Sequence, residues 1–219
     1  GFLTVQGGHR AGLAGSCIWG QEGVQTIREI SSVTFRIARQ IRGCSSVLLR
    51  RLFQEGLCSV LIAGPPASGK TTLLKDLARG LSDGETGRPV KVSLIDERGE
   101  LAAVCRGIPQ NDVGVMTDVF DGYPKEIGML QAIRAMTPQA IVLDEIAGEA
   151  EMRSIRQCLN AGAAVIASIH ASTLDELMSR PLLRELFQTG AFRRIVLLKG
   201  AGTPGEVSEI FSPKELVLC

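Results

Sequence analysis

Continuous apolar runs at residues 59–63, 90–95, 113–116, 140–143 and 163–169 read as strands buried on both faces, each bounded by Gly, Pro or polar turn residues. Between them, apolar positions recur at helical spacing. Val47, Leu48, Leu52 and Phe53 form one such face, opened by Ser45 or Ser46 as a cap and stopped at Gly56. A helix is predicted from about Gly69 to Arg79. Pro124 fits the first turn of another, carrying Ile127, Leu130, Ile133 and Arg134 and ending before Pro138. Met152, Ile155 and Leu159 mark a further helix that stops at Gly162. Residues 194–199 add a strand, and 206–211 pair with it antiparallel after the Thr203-Pro204-Gly205 turn. This alternation from residue 58 to about 200 predicts an α/β fold with a mostly parallel sheet covered on both faces.

Ahead of residue 44 the pattern changes. Residues 2–5 read as a strand, Gln6-Gly7-Gly8-His9-Arg10 as a turn and 14–19 as a second strand, together an N-terminal hairpin. After a turn at Gln21-Glu22-Gly23, residues 24–30 and 33–41 fit either a strand or a helix; 30–37 favours a strand, and 38–41 begins a short helix or a loop ending at Gly43. Because Gly1 opens a strand already under way, a fragment of a longer chain is expected. The reading is a small, partial N-terminal α+β segment over 1–44 followed by a larger domain over 45–219.

Composition narrows the classes. The 219 residues, 45% apolar and 21% charged, suit an ordinary α/β protein with a sizeable core. A net charge of +1 removes the basic field that non-specific nucleic-acid binding requires, and 4% aromatic residues removes a base-stacking platform, so nucleic acid is an improbable partner. Cys17, Cys44, Cys58, Cys105, Cys158 and Cys219 show no C-x-x-C spacing and have only two histidines beside them, so they read as small buried thiols in a reducing cytoplasm rather than a metal site. No apolar run approaches the ~20 residues of a membrane span.

The chemistry starts at Gly64-Pro65-Pro66-Ala67-Ser68-Gly69-Lys70-Thr71, which fits G-x-x-x-x-G-K-[ST] between a buried strand and a helix. In that order of elements the loop turns its N–H groups inward around phosphates, and the helix start adds its partial positive charge. Lys70 is expected on the β- and γ-phosphates and Thr71 on Mg²⁺. Pro65 and Pro66 lack N–H donors, so the cradle is expected to rest on the amides of Ala67, Ser68, Gly69, Lys70, Thr71 and Thr72. Asp144 and Glu145, closing an apolar strand, have the form of a Walker B pair, the first acid for Mg²⁺ and the second for the attacking water. Asp96-Glu97-Arg98-Gly99-Glu100 places further acids at a strand end, where α/β sheets carry ligand chemistry.

These motifs, with the run from Ala135 to Glu145 and the run from Asn160 through His170 to Thr173, resemble the secretion ATPases of type II and type IV systems. In that family the segment leading into Walker B, an acidic "Asp box" and a "His box" recur in this order. The resemblance implies a RecA-like P-loop core, ATP as substrate with Mg²⁺, Glu100 and His170 near the γ-phosphate, and a homo-oligomeric ring of six. An arginine acting from the N-terminal part or a neighbouring subunit is also implied, with Arg10, Arg36, Arg39 and Arg42 as candidates. Two departures stand out: Asp144 replaces the family's usual Gly, and Ala147-Gly148 replaces its Arg-Asp. Residues 7–15, 37–41 and 94–102 narrow the resemblance to relatives in endospore-forming bacteria. For these the implied partner is a membrane channel assembly of other stage III sporulation proteins, approached from the mother-cell cytoplasm. A nucleic-acid motor or a nucleotide-binding structural subunit with little turnover would share the same core.

Overall fold

The computed structural model describes residues 2–20 and 23–212. Residues 21 and 22 of the expected turn, and Cys219, lie outside the described residues. The elements run β1 (Phe2–Thr4), β2 (Arg10–Gly20), β3 (Gly23–Arg36), α1 (Ser46–Phe53), β4 (Val60–Gly64), α2 (Lys70–Ser82), β5 (Val92–Asp96) and β6 (Thr117–Asp121). They continue with α3 (Lys125–Met136), β7 (Ala140–Leu143), α4 (Glu149–Asn160), β8 (Ala164–His170), α5 (Leu174–Ser179), α6 (Pro181–Gln188), β9 (Arg194–Leu198) and β10 (Val207–Phe211).

The larger sheet has seven strands in the order β10-β9-β4-β8-β7-β5-β6, parallel except for the antiparallel β9–β10 pair. Side chains alternate across it as the pleat requires. Leu61, Ala63, Ile141, Leu143, Val165 and Ala167 join the core beneath α3, α4 and α6. Val60, Ile62, Ala140, Val142 and Ile166 join the one beneath α1 and α2. Both faces are therefore covered, which is why the central strands are continuously apolar.

The first three strands form a separate antiparallel sheet in the order β1-β2-β3. It leaves Trp19 71% and Phe35 63% exposed. Its ties to the larger part converge on residues 96–112: Gly7 N donates to Gln110 Oε1 at 2.7 Å, and Gln40 exchanges two hydrogen bonds with the backbone of Asp112 at 2.6 and 2.9 Å.

Several expectations are corrected. Residues 113–116 form no strand; the strand is β6, one position on. It lies at the sheet edge with Thr117, Asp118 and Val119 only partly buried, so it lacks the apolar run of an interior strand. Val47 is 69% exposed, and α1 instead buries Leu48, Leu49, Leu52 and Phe53. In α3, Ile127 faces out while Gly128, Met129 and Ala132 face in. A Cβ on Gly128 would stand 2.7 Å from Ile95 Cγ2, so the helix approaches β5 along its small residues. Residues 38–41 take the loop alternative, the strand ends at Arg36 rather than at residue 37, and α5 and α6 lie beyond the predicted elements. Of the thiols, Cys158 is buried and burial pushes it up to about 12, but Cys17 and Cys44 are exposed.

Candidate functional site

Strand register assembles the site. Parallel pairing sets Gly64 beside His170, Leu143 beside Ala167 and Ile95 beside Leu143, so Asp144 and Asp96 follow at the ends of β7 and β5 level with Ser168, two residues short of His170 at the end of β8. The loop from Gly64 to α2 closes over this row.

Within the loop, Ala67 takes a left-handed backbone, φ 60°, and so does Gly69, φ 93°. A Cβ on Gly69 would lie 2.6 Å from the Gly205 nitrogen, because the β9–β10 turn packs on the loop and Gly205 N donates to Ser68 O at 2.7 Å. Only glycine fits there. Ser68 is fully buried, and its hydroxyl has no protein partner. Lys70, 6% exposed, donates to Gly64 O and Pro65 O at 2.8 Å each. Burial lowers its ammonium below the usual lysine range, and Asp144 and Glu145 pull it back. The first-turn amides of α2 have no partner within the helix, as at any helix start. Thr72 lies in that turn, partly exposed. A loop with an orphaned buried hydroxyl, a glycine no side chain could replace and a buried lysine fits a phosphate group.

On the acidic side, Thr71 Oγ1 donates to Asp144 Oδ2 at 2.6 Å, and Ser168 Oγ donates to Asp144 Oδ1. A hydroxyl beside a carboxylate at the loop is an all-oxygen donor set, few in number, which fits Mg²⁺. Glu145 has a left-handed backbone, φ 53°. Its N–H donates to Ser168 Oγ at 2.9 Å, and its carbonyl accepts from Lys125 Nζ at 2.8 Å. Its carboxylate meets His170 Nε2 at 2.7 Å through Oε1 and Arg98 Nη1 at 2.6 Å through Oε2. His170 Nδ1 lies 3.1 Å from Lys70 Nζ. An ammonium only donates, so Nδ1 is the acceptor and Nε2 carries the hydrogen toward Glu145.

Glu100 lines one small concavity with Asp96, Arg98, Lys125, Asp144 and Glu145. Its partner is Arg10 at 3.0 Å, and Arg10 also donates to Arg98 O. Of the other candidate arginines, Arg42 pairs with Asp112 at 3.1 Å, and Arg36 and Arg39 are exposed. Asp96 is structural: buried, it accepts from the amides of Glu100, Leu101, Ala102 and Ala103 at 2.8–3.3 Å and so folds the loop that carries Arg98 and Glu100.

Sequence reasoning missed Arg98, Lys125, Ser168 and Lys75. Ser168 had a signal: two residues before His170, it falls beside Asp144 once β7 and β8 are paired in parallel. Lys75 is buried one turn beyond Thr71; desolvation lowers its ammonium, and Asp96, Asp144 and Glu100 oppose that. Two open concavities of about 500 and 490 Å³ lie at the opposite, N-terminal ends of β4, β8 and β9, with loop and turn residues such as Cys58, Gly162 and Gly190 in their lining.

The profile of the family described as sporulation stage III, protein AA, matches residues 1–218. The chain belongs to that family. It is 43% identical over 219 residues to stage III sporulation protein AA of Bacillus subtilis (strain 168), covering all of this chain and 71% of that protein. Among solved structures it is similar to the Legionella pneumophila ATPase DotB, with TM-score 0.58, 16% identity and coverage of 87% of this chain and 53% of that one. It is also similar to the VirB11 ATPase of the Brucella suis type IV secretion system in complex with sulphate, with TM-score 0.56, 20% identity and coverage of 81% and 55%. The chain thus spans about half the length of these structures. At such identity the likeness is one of fold alone: a RecA-like core, preceded here by the antiparallel N-terminal sheet. Among the described residues, no helix is long and apolar enough to cross a membrane.

Proposed function

We propose that this member of the sporulation stage III, protein AA family is a Mg²⁺-dependent ATPase that powers assembly of, or transport through, a sporulation channel complex. The observation that carries the reading is the 2.6 Å contact of Thr71 Oγ1 with Asp144 Oδ2. It joins two motifs far apart in sequence, and His170 bridges Lys70 to Glu145 close by.

Each residue has a distinct task. Lys70 and the amides of Ala67 to Thr72 grip the phosphates, while Thr71 and Asp144 hold Mg²⁺, which when bound supplies charge neutralisation across the phosphate oxygens. Glu145 orients the water for in-line attack. His170 links Glu145 to Lys70 and so reports on the γ-phosphate, and Glu100 does the same from the loop that Asp96 folds. Residues 1–44 act as a partial N-terminal domain and 45–219 as the ATPase domain. A ring of six copies, membrane channel partners of the stage III complex and a mother-cell cytoplasmic location belong to the same reading. What supports them is the family membership and the fold shared with secretion ATPases.

Steady-state phosphate release by the chain and by Glu145→Gln tests the proposal. Removing the water-orienting carboxylate is expected to lower turnover by about a hundredfold or more. Equal rates near background would favour a nucleotide-binding structural subunit. Strong stimulation by single-stranded DNA would favour a nucleic-acid motor.

A further inference from the structure

We infer that Arg98 is a positioning residue for Glu145, clamping the water-orienting carboxylate from the side opposite His170. The inference rests on the hydrolytic reading above and adds a residue which that reading does not use.

Glu145 has little freedom. Its backbone sits in the left-handed region, φ 53°, which a non-glycine residue occupies at a cost and which persists only where the surroundings enforce it. Here Ser168 Oγ takes its N–H and Lys125 Nζ its carbonyl. The carboxylate is the remaining freedom, and its oxygens are divided: Oε1 to His170 Nε2 at 2.7 Å and Oε2 to Arg98 Nη1 at 2.6 Å. Each oxygen keeps a second lone-pair direction, so the grip fixes the plane of the carboxylate and still leaves an acceptor for water.

Arg98 is itself aimed. It sits on the loop that Asp96 folds through the amides of Glu100 to Ala103, and its carbonyl accepts from Arg10 of the N-terminal sheet. Its side chain is 62% exposed, so the pair with Glu145 adds little to folding. A planar guanidinium holds a carboxylate in one orientation, as a lysine ammonium does not. The arrangement therefore serves orientation rather than stability.

The test is ATP turnover of the full chain with Arg98→Ala, Arg98→Lys, Glu145→Gln and the Arg98→Ala/Glu145→Gln double variant. Misorienting the carboxylate should lower kcat about ten- to a hundredfold in Arg98→Ala, with KM for ATP changed by less than about threefold. Arg98→Lys should regain part of the loss. In the Glu145→Gln background, Arg98→Ala should add less than about a twofold effect, because a residue acting through Glu145 has nothing left to position. An unchanged or raised kcat in Arg98→Ala overturns the inference. So does an equal loss in the Glu145→Gln background, which would mean that Arg98 acts on the phosphates directly. If the chain and Glu145→Gln turn over equally, the hydrolytic reading falls and takes this inference with it; if they differ while Arg98→Ala keeps full kcat, this inference alone falls.

Discussion

The loop proposed to grip phosphate comes from one unbroken stretch, Gly64 to Thr72, shaped by its own backbone, by Lys70 reaching back to Gly64 O and Pro65 O, and by the neighbouring turn at Gly205. The acidic wall opposite is assembled from the ends of β5, β7 and β8. It is held by side-chain pairs between distant residues, such as Ser168 with Asp144 and Arg98 with Glu145. The first wall is specified wherever its motif occurs between a strand and a helix. The second exists only when the strands are in register, since a one-residue slip of β8 against β7 would turn Ser168 away from Asp144.

Breaking the first wall should have the largest effect. Lys70→Ala removes the charged donor from the loop and is expected to weaken ATP binding about ten- to a hundredfold, given roughly 1.5–3 kcal/mol for a charge-assisted hydrogen bond. Titration with a fluorescent ATP analogue reads it directly. Thermal stability should hold or rise, because a lysine that burial disfavours is being removed. Affinity equal to that of the unaltered chain would show that the loop is not the grip.

The acidic wall should fail differently. Asp96→Ala leaves the amides of residues 100–103 without their acceptor inside the protein. The expected cost is about 2–4 kcal/mol of folding stability, read from urea unfolding, for a buried carboxylate whose partners are orphaned. Affinity for the ATP analogue should change far less than in Lys70→Ala. A cost under about 1 kcal/mol would mean that the loop is held by other contacts, such as Asn111 Nδ2 on Leu101 O, and that Asp96 is free for chemistry.

The same contrast separates what could be read in the sequence from what could not. The loop, the Asp144-Glu145 pair and the interior strands are local patterns; the strands form where the pattern predicts, and the loop and the pair follow the C-terminal ends of β4 and β7. His170 is legible as a site residue only by resemblance, because nothing near it in the chain shows that β8 ends beside Gly64; Glu100 is legible as one of several acids at a strand end, and only the resemblance singles it out. The differences at 113–116, α1 and α3 share a cause: apolar residues such as Val115, Val47 and Ile127 stand exposed. The run 113–116 is apolar yet forms no strand, Val115 being 84% exposed, while the edge strand β6 carries Thr117 and Asp118. In α3 the inward face is made of Gly128, Met129 and Ala132 because close packing on β5 requires small residues, and Lys125 is buried because Glu97 and Glu151 meet its charge at 3.3 and 3.4 Å. Arg98 left no sequence signal, since its partner is 47 residues away in the loop that follows β7.

The smallest expected effect concerns how α2, the helix behind the loop, is anchored. Asp76 is fully buried; its carboxylate accepts from Gly43 N at 2.9 Å, from Ser45 N and Oγ at 2.8 and 2.7 Å, and from Arg79 Nε at 2.9 Å. It thereby fastens α2 to the segment that leads out of the N-terminal sheet. Desolvation alone would raise its pKa, but the hydrogen bonds from Ser45, Gly43 and Arg79 outweigh that and hold it below the usual aspartate range. A carboxyl held low in the folded chain contributes stability that is fully present above its unfolded pKa and is lost as pH falls through the folded value. Asp76→Asn keeps one acceptor and most of the shape, so at neutral pH it should cost about 1–2 kcal/mol. The discriminating measurement is the gap in urea midpoint between the two proteins as pH is lowered from 7 into the carboxylate range and below. The gap should narrow steadily, because the unaltered chain loses its Asp76 contribution on protonation and the asparagine form has none to lose. A gap that stays constant would assign the acid sensitivity to the carboxylates of the other wall and leave α2 anchored by packing alone.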